Sequence, residues 1–491
     1  MLTVKFDIPV YVQKVLGVLT NSGFEAYVVG GAVRDLLLEK IPEDYDVVTN
    51  ARPDEIKLLA ERNGIGVVAG LGQNFGVVML TLGRNSVEVA AFRNETYGED
   101  AHRPAEVWYC DKLEDDLGRR DFTINAMALD SKGKIIDCFD GLGDLQRKIL
   151  KTVGNPEKRF EEDALRMFRA CRFLGQLGFA YDLKMKIAIK RNLAKVSGLS
   201  LERVRTELNK MICGPYAEKG MGLMISSGLA GENCRYRADK TEKLVPILPE
   251  LVALVGVKQN PAYHQYDVWH HTLTALTNSD HSLEVGWAII FHDVAKGCEG
   301  IRGMNAQGEP TDYGHDILGA QIAADILTRL RFPLATVQRV SWLVKNHMRF
   351  GSNIDRGEAV TWRWIRQTAR EGNFRVTKEM ADAFKQLVTV CIADLAATTA
   401  HKQELISAQM YGGKLISMAY EMPVHTTDLN VNGGELSQIV TNKKALAEIM
   451  PLLLRRVQDG ELSNNAAALK LAAQVWYERK ITTNKTKKKT P

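Results

Sequence analysis

Within the stretch VVGGAVRDLLLEKIPEDYDVVT (Val28–Thr49), one residue separates Asp44 from Asp46. Side chains on a strand alternate between faces, so both carboxylates point the same way, with Cα atoms roughly 6–7 Å apart. Like charges at that spacing repel unless a cation lies between them. Mg²⁺, whose ligands are carboxylate, water and phosphate oxygens, suits the gap. Gly30 and Gly31 let backbone N–H groups approach a phosphate, and Arg34 adds a cation one helical turn on. A solvated DxD on a strand edge is the plainer alternative. The Gly-Gly pair, Arg34-Asp35 and the DxD nevertheless fall within a single short run, and together they point to metal-dependent nucleotide chemistry.

Three further sets carry chemistry. In RRDFTINAM, Arg119, Arg120, Asp121 and Asn125 place two guanidiniums, a carboxylate and an amide ahead of an expected apolar helix. Such groups can hold a triphosphate and a ribose, and capping by Asp121 or Thr123 is compatible with that role. In EDALRMFRACRF (Glu162–Phe173), read as one helix, Asp163 and Arg166 are i and i+3 neighbours. The carboxylate can accept from an exocyclic amino group while the guanidinium donates to a ring nitrogen or carbonyl, which reads the edge of C or A. Taken alone, such an exposed pair is a helical salt bridge worth ~0.3–0.5 kcal/mol. The last set is His270-His271-Thr272, His292-Asp293 in an apolar run, His315, His347 and Asp394. Ionisable groups inside an apolar helix need partners, and a transition ion suits imidazole with carboxylate.

The elements that must position these groups follow the same order. A buried strand ends at Gly30-Gly31, a short helix covers Ala32–Glu39, the chain turns at Pro42, and a second strand carries Asp44 and Asp46. A helix over Asp54–Arg62 leads to a hairpin of Gly76–Leu82 and Ser86–Phe92 through Gly83-Arg84-Asn85. Glu88 on its second strand is a candidate third carboxylate, although an outward-facing strand glutamate is the simpler reading. The polar Phe92–Val107 reads as a mobile loop. Asp140–Leu145 reads as a turn into a helix. The fold class expected is an α+β head with a mixed sheet of the polymerase-beta-like nucleotidyltransferase type, followed by all-α domains. Expected boundaries are 1–150 (head), 151–215 (neck), 216–262 (helical body broken by prolines), 263–400 (histidine-rich bundle) and 401–491 (helical tail with a disordered Lys-rich end). Between Asp182 and Lys210, eight basic residues face three acidic ones, as large a net charge as the +5 of the whole chain. That suits an RNA backbone footprint.

Composition narrows the class. With 491 residues, 25% charged and 45% hydrophobic, the chain is ordinary globular material for about three domains. No basic-then-apolar leader and no run of roughly 18 apolar residues is present, so the reading is cytoplasmic with no membrane partner. The seven cysteines (Cys110, Cys138, Cys171, Cys213, Cys234, Cys298, Cys391) lack CxxC spacing, which argues for reduced thiols.

GGAVRD, DYDVVT, RRDFTINAM, EDALRMFRACRF and LSLERVRTE (Leu199–Glu207) occur in that order. Here the sequence resembles class II tRNA nucleotidyltransferases, the CCA-adding enzymes, and the related bacterial poly(A) polymerases, densely over the first 215 residues. The resemblance implies two Mg²⁺ ions on Asp44 and Asp46 as the catalytic residues. It implies an amino-acid template for CTP and ATP at Asp163 and Arg166, and adds Arg169 and Arg172 to the nucleotide-binding set of Gly30, Gly31, Arg34, Arg119, Arg120, Asp121 and Asn125. Ala164 stands where the family's EDPLR has proline. The flexible loop of the family is resembled by RNETYGEDAHRP, with wider spacing. The histidine spacings resemble the HD phosphohydrolase superfamily over about residues 263–400. That resemblance implies one metal on His271, His292, Asp293 and Asp394, of Ni²⁺, Co²⁺, Mn²⁺ or Zn²⁺ character. His315 and His347 would serve a second metal or bind phosphate. His270 is the rival of His271, but neighbours on a helix point about 100° apart. Asp428–Gly433 weakly resembles the tail of these enzymes.

The expected function is addition of CCA to the 3′ end of tRNA from CTP and ATP with release of pyrophosphate. A phosphodiesterase or phosphatase activity of the HD domain is expected beside it, with 2′,3′-cyclic phosphates at damaged RNA ends as one such substrate. The rivals of the same fold are a poly(A) polymerase and a partial enzyme adding only CC or only A. The rival of another class is an RNA-binding HD phosphohydrolase with a silent head.

Overall fold

The computed structural model describes residues 6–68, 76–97, 104–238 and 241–487. It divides into two units, residues 1–253 with 329–331, and residues 254–328 with 332–491.

The first unit opens with α1 (Val10–Asn21), β1 (Ala26–Val29), α2 (Gly31–Leu37), β2 (Asp46–Thr49), α3 (Pro53–Arg62) and β3 (Gly66–Val68). β4 (Val77–Leu82) and β5 (Asn85–Ala91) follow, then β6 (Arg93–Tyr97), β7 (Pro104–Tyr109), α4 (Leu113–Gly118), β8 (Met127–Leu129), β9 (Ile135–Asp137) and α5 (Gly141–Gln146). Seven strands form one mixed sheet in the order β3-β4-β5-β2-β1-β8-β9. β1 is an interior strand, and its valines are buried on both faces: Val28 and Val29 are fully covered. It runs antiparallel to β2 with Val29 opposite Asp46, which brings the Gly30-Gly31 turn and the DxD to the same end of the sheet. β5 lies parallel to β2 with Glu88 opposite Asp46.

Helices take over after the short strand β10 (Ile149–Leu150). They are α6 (Pro156–Glu162), α7 (Leu165–Leu177), α8 (Leu183–Arg191), α9 (Leu201–Ile212) and α10 (Ala217–Ser226), with β11 (Ala180–Tyr181) pairing β10 in parallel. α7 is the spine, with α9 and α10 packed on it. A Cβ on Gly220 of α10 would meet the Cys171 carbonyl at 2.4 Å, so glycine is what permits that close helix crossing. The unit continues through a hairpin, β12 (Asn233–Ala238) with β13 (Thr241–Pro246), and α11 (Pro249–Val252).

In the second unit, α12 (Val268–Leu276), α13 (Leu283–Phe291), α14 (His315–Arg329), α15 (Leu334–Asn353), α16 (Glu358–Arg370) and α17 (Thr377–Ala396) build a bundle around Trp287, Phe291, Trp364 and Phe384. The hairpin β14 (Arg302–Met304) with β15 (Pro310–Asp312) interrupts it. α18 (Lys402–Glu421) packs on α17. α19 (Gly433–Ser437), α20 (Lys443–Gln458) and α21 (Ala466–Lys487) share a separate apolar cluster that includes Leu436, Ile449, Leu453 and Leu469.

The mixed-sheet head and the predominantly helical remainder match the expected fold class, and six local readings are corrected. β2 begins at Asp46, so Asp44 lies on its extended lead-in, although burial still alternates through Asp44, Tyr45, Asp46 and Val47. The run after Asn125 is strand β8, a short apolar segment whose period cannot separate buried strand from helix. Glu162–Phe173 is two helices, because Asp163 is extended (φ −141°, ψ 104°). Residues 216–262 contain β12 and β13, where Arg237 pairs across the hairpin with Glu242 at 2.6 Å and Pro246 ends the ladder. Around the expected loop, β6 and β7 pair antiparallel, while residues 98–103 fall outside the described ones. At the Lys-rich end, α21 persists to Lys487, and the rest of that end lies outside the described residues. All seven cysteines are free thiols. No helix among the described residues is long and apolar enough to cross a membrane.

Candidate functional sites

At the sheet edge, Gly30 turns the chain from β1 into α2 with φ +74°, a conformation that a side chain resists. A Cβ there would also meet the Arg120 guanidinium at 3.0 Å. Asp46 faces Asp44 and Glu88 in this corner. Burial first, then the charges of Asp44 and Glu88, push its carboxyl up to about 6 against the opposing Arg120. A cation between these oxygens removes the repulsion, which is the chemistry of a magnesium ligand set. Glu88, the less favoured third carboxylate, thus stands beside the Asp44–Asp46 pair.

The arginines behind this corner form one network. Arg119 and Arg120 both pair with Asp116, at 2.8 and 3.2 Å, and Asp116 is fully buried. Burial raises the Asp116 carboxyl, but the two guanidiniums outweigh it and hold it below its usual range. Arg34 donates to Asp35 and, at 2.8 Å, to the Asn125 amide oxygen. The Asn125 amide nitrogen donates to Asp121 at 3.1 Å, and Arg169 donates to Asp121 at 2.7 Å. Burial would raise the Asp121 carboxyl, yet Arg169 and the Asn125 hydrogen bond bring it down to about 2. Arg172 pairs with buried Glu207 at 2.9 Å. Arg34, Arg169 and Arg172 all lie over the Phe173 ring, at 5.1, 5.6 and 4.1 Å. Sequence reasoning missed Asp116 and Glu207, whose signal was only an acidic residue three or more positions from an arginine.

The expected base-reading pair is held differently from a helical salt bridge. Asp163 lies in the break between α6 and α7, and its carboxylate accepts from Leu165 N–H at 3.0 Å. Ala164 opens α7 with φ −61°. Arg166 is buried and donates to the Arg159 carbonyl, to Glu162 at 2.9 Å, and to the Arg119 carbonyl at 2.9 Å. The neck is therefore tied directly to the arginine pair of the head. On α8, Lys184, Lys186, Lys190 and Arg191 accompany the exposed Leu183 and Ile187, and Asp182 caps the helix.

In the second unit, five helices or their ends deliver a cluster of imidazoles and carboxylates. His271 on α12 is fully buried, whereas His270 points outward onto Asp267. His271 Nε2 lies 2.9 Å from Asp394 Oδ1 and 3.3 Å from His292 Nε2. His292 Nε2 is 3.2 Å from Asp293 Oδ2, and His315 Nε2 is 3.3 Å from Asp293 Oδ1. His315 and His347 meet through Nε2 at 3.2 Å. Two ligand trios thus share Asp293: one with His271 and His292, the other with His315 and His347. The opposite nitrogen of each ring faces a backbone carbonyl: Ala397 for His271, Ile289 for His292, Asp312 for His315 and Val344 for His347. That pattern fixes the tautomer and leaves Nε2 as the donor atom. Lys296, absent from the sequence-based set, pairs with Asp293 at 2.7 Å. Burial would push His292 down, but Asp293 and Asp394 raise it to about 10. The cluster's charge balance calls for a further cation, either a proton on His292 or a metal ion. Four imidazoles and two carboxylates suit a transition ion.

A mixed sheet with a Gly-Gly turn and a triple-carboxylate edge, followed by a basic helical neck, defines a nucleotidyltransferase head, and the second cluster defines an HD domain. Three family descriptions match: "Poly A polymerase head domain" over residues 26–151, "Probable RNA and SrmB- binding site of polymerase A" over 178–232, and "HD domain" over 262–394. Over these stretches the chain is similar to the head and RNA-binding regions of poly(A) polymerases and to HD domains. A CCA-adding enzyme of Geobacillus sp. (strain WCH70) is 44% identical over 220 residues, 44% of this chain and 53% of the relative. One from Lactobacillus helveticus (strain DPC 4571) is 41% identical over 245 residues, 50% of this chain and 60% of the relative. The chain thus spans between half and two thirds of the curated relatives it matches. The crystal structure of Bacillus stearothermophilus CCA-adding enzyme in complex with CTP aligns with TM-score 0.61 and 26% identity, covering 97% of this chain and 98% of that one. A tRNA nucleotidyltransferase complexed with a primer tRNA and an incoming ATP analog shares the fold at TM-score 0.52 and 20% identity, covering 82% of this chain and 99% of that one.

Proposed function

We propose that this chain adds C, C and A to the 3′ end of tRNA from CTP and ATP, releasing pyrophosphate, in the cytoplasm. The observation that carries the reading is the edge where Asp44, Asp46 and Glu88 converge beside Arg120. Asp44 and Asp46 would hold two Mg²⁺ ions, which when bound would supply charge neutralisation at the attacking 3′-hydroxyl and the departing pyrophosphate. The turn at Gly30-Gly31 leaves room for a phosphate. Arg34, Arg169 and Arg172 give the triphosphate and ribose a cationic bed, kept in place by Asn125, Asp121 and Glu207. Asp163 and Arg166 read the base edge, with Arg166 oriented by Glu162 and by the Arg119 carbonyl. Basic α8 follows the RNA backbone. The test is full-length protein with tRNA lacking CCA and one, two or four NTPs, with products sized on a gel. Three added residues from CTP plus ATP support CCA addition. A long A tail, or only CC or only A, selects the corresponding rival.

A second reading has its own observation, the two buried trios sharing Asp293. We propose a phosphohydrolase centre for phosphate esters, with Ni²⁺, Co²⁺, Mn²⁺ or Zn²⁺ on His271, His292, Asp293 and Asp394, and with His315 and His347 at a second ion. Elemental analysis of the purified protein tests it, and absence of any transition metal would reduce the bundle to a scaffold. An RNA-binding HD phosphohydrolase with a silent head is the weaker alternative, because a silent head has no need of the converging carboxylates.

A further inference from the structure

Three guanidiniums converge on one ring. The Cζ atoms of Arg172, Arg34 and Arg169 lie 4.1, 5.1 and 5.6 Å from the centroid of Phe173. Arg34 comes from α2 in the head, whereas the other two share α7 with Phe173. Arg169 and Phe173 are i and i+4 on that helix, hence on one face. The ring itself is 4% exposed, so it lies behind the arginines and out of a ligand's reach. Phe122, in the segment between Arg120 and Asn125, meets it in a T-shaped contact with centroids 5.5 Å apart and planes at 81°. The head therefore fixes how the ring is turned.

Like charges gathered this closely repel. Burial pulls the Arg172 guanidinium below its usual range, Glu207 opposes that, and the charges of Arg169 and Arg34 act with burial. Each arginine has its own carboxylate: Asp35 for Arg34, Asp121 for Arg169 and Glu207 for Arg172. Those carboxylates stand on α2, on the segment before β8 and on α9, so each holds its arginine separately. The Phe173 ring is common to all three. An aromatic face attracts a cation through its quadrupole, most strongly where water is excluded. It supplies no acceptor oxygen, so it leaves the remaining N–H donors in each guanidinium plane to a ligand. We propose that Phe173 is a positioning residue for the nucleotide's triphosphate. Its ring gathers Arg34, Arg169 and Arg172 where neck meets head, and sets the spacing at which their remaining donors meet phosphate oxygens. This assignment rests on the nucleotide-addition reading above and adds to it a group that touches no substrate.

The experiment uses the full chain with Mg²⁺ and replaces Phe173 by phenylalanines of increasing ring fluorination, which drain the negative ring face while nearly keeping its shape. Affinity for CTP, and separately for inorganic tripolyphosphate, is read by calorimetric titration. It is expected to weaken at each step, reaching roughly ten-fold at the most fluorinated ring. Phe173→Leu, which removes the aromatic face and keeps an apolar side chain, should match that loss, with circular dichroism confirming that each variant is folded. In extension of tRNA lacking CCA, the loss should appear in KM for CTP and ATP with kcat close to wild type, as removal of uniform binding does. A packing role predicts instead that affinity follows side-chain volume, with the fluorinated rings equal to phenylalanine, and that result would overturn the assignment. So would failure of the wild type to bind CTP. If affinity tracks ring fluorination while the wild type extends no tRNA, the nucleotide-addition reading fails and the role of Phe173 stands.

Discussion

Asp121 shows how one side chain can serve both fold and site. Its carboxylate joins Asn125 and Arg169, and its acidity shifts from the ordinary 3.8 down to about 2. A depressed carboxylate adds stability that is complete above its unfolded value and is lost as pH falls through the folded one. The contribution is about 2 kcal/mol, present above pH 4 and fading between pH 4 and 2. Asp121→Asn is therefore expected to melt lower than wild type at pH 7, with the gap closing in acid, as thermal denaturation across that window will read. Base choice also belongs to this scale. Arg166→Ala should erode selection of CTP and ATP over UTP and GTP more than it weakens triphosphate affinity, because Arg34, Arg169 and Arg172 remain. Misincorporation assays with single NTPs check it, and unchanged fidelity would leave Arg166 a purely structural tie between neck and head.

Among elements, the break between α6 and α7 is the informative one. Ala164 has φ −61°, and Asp163 before it is extended, which is the backbone that a proline and its predecessor require. Ala164→Pro is expected to stabilise by about 0.4–1 kcal/mol through the unfolded chain, with nucleotide addition retained. A lower melting temperature for that variant would sink the argument. The apolar period of Leu165, Phe168 and Phe173 revealed the helix α7, but nothing in it marked where the helix begins. The DxD, Gly-Gly turn and hairpin were legible because turn residues and alternation carry local information. β8 was not, since its partner β1 is distant in sequence and a short apolar run suits either period, and neither was the hairpin β12–β13, whose largely charged strands show little apolar alternation. The histidine cluster was legible as a motif. Lys296 gained meaning only once folding brought it against Asp293.

At the scale of the whole chain, the carboxylate edge and the histidine cluster occupy separate units. His292→Ala combined with Asp293→Ala is expected to remove bound transition metal and ester hydrolysis while extension of tRNA in Mg²⁺ continues. A folded double variant that lost extension would show that the two sites are coupled. The shared ligand Asp293 has a thermodynamic consequence as well. Its trios draw on α12, α14, α15 and the turn after α13, so an ion that binds only the folded bundle stabilises it by mass action. At one hundred times its dissociation constant, such an ion adds about 2.7 kcal/mol. Chelation should therefore lower the melting transition of the second unit and leave that of the head in place, making the bundle's heat resistance a gauge of free metal in its surroundings.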